Sequence, residues 1–66
     1  MKKYIVTILG KDRQGRICET CFAVSASDDL QERERNGLIR RAAPIMAALQ
    51  GLVKTGVEIE TIEEEK

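Results

Sequence analysis

The 66-residue chain has no histidine, no tryptophan, one proline, one tyrosine and one phenylalanine. Without histidine, the commonest general base and the commonest metal-binding side chain are both missing. No Ser/His/Asp set, paired carboxylates in a cleft or Cys/His cluster can be assembled, so neither an enzyme nor a cofactor is expected. Two cysteines are too few for a disulfide framework. Two aromatics and a formal net charge of zero leave a nucleic-acid binder without stacking platforms or a basic excess. No apolar run approaches the length of a membrane span. The basic start Met1-Lys2-Lys3 is followed by too short an apolar stretch for a secretory leader. These absences point to a soluble, cytoplasmic, non-catalytic protein with no direct contact to membrane or nucleic acid.

What is present starts with Tyr4-Ile5-Val6-Thr7-Ile8-Leu9, an apolar, β-branched stretch that predicts a strand. Alternation puts Ile5, Thr7 and Leu9 on one face and Tyr4, Val6 and Ile8 on the other. Both faces are fit for burial, while a chain this short owns enough material to cover only one. Gly10 to Arg16 is a polar turn bracketed by glycines, and Ile17–Ala26 predicts a second strand that returns as a hairpin.

Ser27 and Asp28 are candidate helix caps, and apolar residues recur at helical spacing from Leu30 to Val53. Asn36-Gly37 and Pro44 predict a kink or break within that helix. Gly56 is placed as its left-handed terminator. Val57 to Ile62 alternates as a third strand, and residues 63–66 form an acidic tail expected to fray. The expected fold is α+β, a single β-β-α-β domain over residues 1–66. Its three-stranded antiparallel sheet has order 2-1-3, with one long or kinked helix on one face.

Setting Tyr4 opposite Ile62 and Leu9 opposite Val57 predicts that the helix covers Ile5, Thr7 and Leu9. Tyr4, Val6, Ile8 and Ile62 then form the apolar centre of an exposed interface rimmed by Glu58 and Glu60. The expected partner is a second copy of the chain, another protein, or both. Charge is uneven: residues 1–27 carry a net of +3 and residues 42–66 a net of −3, which cancels if the two ends pair in one sheet. Lys11, Arg13 and Arg16 on the first turn, and Arg40 and Arg41 on the helix, are candidate basic contacts. Cys18 and Cys21 have C-x-x-C spacing, but on a strand they point to opposite faces and are expected to be buried, inert thiols.

Val6 to Gly15, with its Gly10-Lys11-Asp12-Arg13-Gln14-Gly15 loop, resembles the opening of an ACT domain, a ligand-sensing regulatory module. The resemblance implies a small effector, often an amino acid, held at that loop. It also implies a helix at Ile17–Ala26 and two more strands before the second helix. In format the chain is also similar to small phage inhibitors of host defence complexes, including anti-CRISPR proteins, which act as compact binding modules without an active site.

Overall fold

The computed structural model describes residues 1–65: strand β1 (Lys2–Lys11), strand β2 (Ile17–Ala26), helix α1 (Glu32–Leu49) and strand β3 (Glu58–Glu65). The sheet is antiparallel throughout, in the order β2-β1-β3, with β1 in the middle. The α+β class, strand order and single helix are those expected from the sequence.

Asp12 sets the hairpin. Its carboxylate accepts the backbone N–H groups of Gln14 and Arg16, each at 2.9 Å, and the Arg16 guanidinium at 3.0 Å. Gly15 supplies the left-handed φ of 82° that a three-residue hairpin loop requires after its turn. This turn fixes the β1–β2 register, so Val6 lies opposite Phe22, Tyr4 opposite Val24 and Ile8 opposite Thr20.

Phe22 decides which side the helix covers. β1 is apolar on both faces, so β2 decides: Glu19, Cys21 and Ala23 flank Leu9, Thr7 and Ile5, whereas Phe22 and Val24 add apolar area to the face of Tyr4, Val6 and Ile8. Burial there contributes roughly 1.5–3 kcal/mol for each large side chain. Val6 and Ile8 are 0% exposed, packed with Phe22 against Ile39, Ala43 and Ala47 of α1. The expected assignment of faces is therefore reversed: Tyr4, Val6 and Ile8 are core, and Ile62 packs half-buried against it.

The β1–β3 register differs as well. Val6 lies opposite Ile62 and Thr7 opposite Thr61, but Ile8 pairs with Ile59, so Glu60 is the extra residue of a β-bulge. Ile59 and Ile62, three apart, could not share a face of a regular strand, and the bulge lets both face the helix. Glu63 to Glu65 continue the strand rather than fray. Lys2–Glu64 at 3.5 Å and Lys3–Glu65 at 3.6 Å hold them against β1. Lys66 lies outside the described residues.

Helix α1 runs unbroken through Gly37 and Pro44. The carbonyl that Pro44 leaves without its helical partner belongs to exposed Arg40, where water can satisfy it. The helix begins later than expected, after Gln31. Ser27 instead shapes the preceding turn, its hydroxyl accepting the Asp29 N–H at 3.2 Å. It also ends earlier. Gly51, at φ 84°, closes it with bonds from Leu52 N–H to the Ala47 carbonyl (2.9 Å) and from Gly51 N–H to the Ala48 carbonyl (3.1 Å). Leu52 is thereby turned into the core against Gly10, where an added methyl would meet Leu52 at 3.2 Å. Arg35 covers the opposite end, its guanidinium 4.4 Å from the Tyr4 ring centroid.

Candidate functional site

The face of the sheet away from α1 carries Ile5, Thr7 and Leu9 of β1 in a half-exposed row. On β2 their neighbours are Ala23, Cys21 and Glu19; on β3 they are Glu63, Thr61 and Glu58. Ile17 extends the apolar strip at the hairpin end and is 73% exposed. The result is a narrow apolar line with carboxylates on both sides. Glu60 lies close enough to Glu19 to share a hydrogen bond with it. That bond, the repulsion between the two charges and a little desolvation raise the Glu60 pKa above its usual 4.5.

Of the residues expected to form the interface, Glu58 and Glu60 are exposed, whereas Tyr4, Val6, Ile8 and Ile62 belong to the helix side. The residues that take their place are Ile5, Thr7 and Leu9. The signal that could have found them is Phe22 together with the register its hairpin turn imposes.

The candidate basic residues do not form one patch. Lys11, Arg13 and Arg16 are exposed at the hairpin tip, with Arg16 tied to Asp12 and Gln14. Arg40 lines a groove of about 520 Å³ with Pro44, Val57 and Ile59, while Arg41 borders a separate one with Leu30 and Leu38. The cysteines do diverge, but neither is buried: Cys18 is half-buried beside the core and Cys21 is exposed on the open face. Their shared strand puts one small side chain on each side, which leaves Cys21 without a covering layer. Among the described residues, no three His, Cys, Asp or Glu side chains converge to hold a metal ion.

The Gly10–Gly15 loop borders an open cleft of about 600 Å³ that includes Lys11, Arg13, Thr55 and Glu58. Asp12 is committed to the turn itself. The backbone N–H of Arg16 is the main influence holding its carboxyl below the ordinary 3.8; desolvation opposes it, and the Gln14 N–H and the Arg16 side chain add to the lowering. After this loop the chain has a strand at Ile17–Ala26, where an ACT domain would have a helix. No helix is long and apolar enough to cross a membrane among the described residues. No family model, curated protein or solved structure matches the chain.

Proposed function

We propose that this chain is a non-catalytic, homodimeric protein-binding module of the small phage-type inhibitor kind, acting in the cytoplasm on a host protein or nucleoprotein complex. One observation carries the reading: the Ile5–Thr7–Leu9 row lies on the sheet face opposite α1, flanked by Glu19, Glu58 and Glu63. An apolar centre inside a charged rim is the anatomy of a protein interface. The carboxylate rim favours a partner with a basic patch, such as the nucleic-acid groove of a nucleoprotein complex.

The test compares tagged wild type with Leu9→Asp and Ile5→Asp variants in pull-downs from the native host, with circular dichroism confirming that each variant is folded. A protein retained by wild type and lost by both variants supports the reading. Recovery of the same proteins by all three overturns it.

The cleft beside the Gly10–Gly15 loop favours a second reading, a small-molecule sensor. Thermal shift with amino acids distinguishes it, through a stabilisation that disappears in Arg13→Ala.

A further inference from the structure

The two edges of the sheet differ. The outer edge strand β3 carries five glutamates in eight residues, whereas β2 has a single charge, Glu19, in ten. Long, nearly uncharged edges are what proteins normally avoid leaving open, because their free N–H and C=O groups accept another strand. The Asp12 N–H to Arg16 carbonyl bond, 2.9 Å, fixes the phase of the β1–β2 ladder. Even-numbered β2 residues turn their backbone groups toward β1, and Ile17, Glu19, Cys21, Ala23 and Ser25 turn theirs outward. Among the described residues only Cys21 of this outward set has a partner: its carbonyl accepts the exposed Gln50 side-chain amide at 3.2 Å.

A second, independent observation lies on the same side of the molecule. Leu38, Ile45 and Leu49 are 51, 56 and 76% exposed, and their spacing of seven and four places them on one flank of α1. The core-facing line of the helix is Ile39, Ala43 and Ala47. Arg40 and Pro44, on one side of that line, border Val57 and Ile59 at β3. The apolar flank is on the other side, roughly 140° around the helix from the core-facing line at ~100° per residue, so it points up and away from the sheet above β2, where Gln50 at the helix end reaches Thr20 and Cys21.

We infer that β2 pairs antiparallel with β2 of a second copy across a two-fold axis, giving a six-stranded sheet with both helices on one face. The inference deepens the proposed function by naming how the copies join, and it rests on the homodimeric part of that reading. Both unfinished layers, the bare strand edge and the apolar helix flank, are completed by one symmetry operation. With Phe22 at the axis, Cys21 lies opposite Ala23 of the second copy and Glu19 opposite Ser25. No like charges then meet along the edge. A β3–β3 pairing would set glutamates against glutamates. A β2–β3 pairing is head-to-tail and would build a filament rather than a closed pair. Three strand spacings put the two β1 strands about 14 Å apart. Helices about 10–12 Å wide with their side chains then come within a few ångströms, and an inward roll of each helix joins the Leu38, Ile45 and Leu49 flanks. The Gln50 amide swings aside, exchanging one hydrogen bond for those of the new ladder. The Ile5–Thr7–Leu9 rows of both copies stay open on the opposite face.

Sedimentation equilibrium of the full chain tests this. Wild type is expected at twice the monomer mass. Ala23→Pro, which removes an outward N–H that β1 does not use, is expected at the monomer mass with its circular dichroism retained. Ile45→Glu, a change at an exposed helix position, is expected to lose the dimer too, and it keeps the test decisive if the proline variant fails to fold. Leu9→Asp is expected to remain dimeric. Under mild oxidation, Ala23→Cys is expected to form a disulfide between Cys21 and the introduced thiol of the second copy. A monomeric wild type overturns the pairing and with it the homodimeric part of the proposed function, and leaves only the binding of another protein by the open face, which the pull-down tests separately. A dimer that survives Ile45→Glu but is lost in Leu9→Asp also overturns the pairing.

Discussion

The two faces of β1 are made of nearly the same kinds of residue, yet they have opposite fates. Tyr4, Val6 and Ile8 form the floor of the core, while Ile5, Thr7 and Leu9 look outward. The difference is not within β1 but beside it: Phe22, Ile59 and Ile62 flank the first set, and Glu19, Glu58 and Glu63 flank the second. A strand that is apolar on both sides leaves the choice of lid to its neighbours.

Exchanging a charge between the faces should break this comparison most severely. Val6→Asp buries a carboxylate with no partner, a cost of several kcal/mol that the domain cannot absorb. Thr7→Asp, one residue away, is expected to keep the fold. Circular dichroism and thermal melting of the two variants should differ as unfolded from native. Truncation gives a smaller contrast. Ile8→Ala is expected to cost about 2–5 kcal/mol by denaturant titration, and Leu9→Ala less than about 1.5 kcal/mol.

The smallest effect sharpens the electrostatics of the open face. Because the Glu60 pKa is raised, its protonated form is favoured in the folded state. The proton-linked stabilisation is full below the ordinary value of 4.5 and is lost as pH rises through the raised pKa. Glu60→Gln should therefore melt slightly higher than wild type at neutral pH, and the gap should close on acidification. Asp12 has the opposite sign: its contribution is present above its ordinary value of 3.8 and is lost as pH falls through the lowered pKa.

Much of the fold was legible because local signals agreed. Alternation marked β1 and β2, glycines marked the hairpin, and size dictated a single lid. The lid's side was misread for a reason located at Ile59 and Ile62. Read as a regular strand, they fall on opposite faces, and either choice of register sacrifices one of them. A bulge resolves the conflict, but nothing in the residues from Val57 to Ile62 announces it. The helix end was misread by competition between two glycines: Gly51 and Gly56 both have left-handed φ values, and only Gly51 makes the terminal bonds to Ala47 and Ala48. The extra length of β3 comes from Lys2 and Lys3 engaging Glu64 and Glu65, a long-range pairing that an acidic tail viewed alone does not reveal.

Glu60 has a further consequence as the one residue of β3 that the ladder skips. Deleting it would leave Ile59 facing Ile8, Thr61 facing Thr7 and Ile62 facing Val6, now with ordinary alternation. The strand thus contains a spare position, where the chain can shorten by one residue without turning any other side chain over. Deleting Ile59 instead has no such slack, because it would set a glutamate opposite Ile8 in the oily interior.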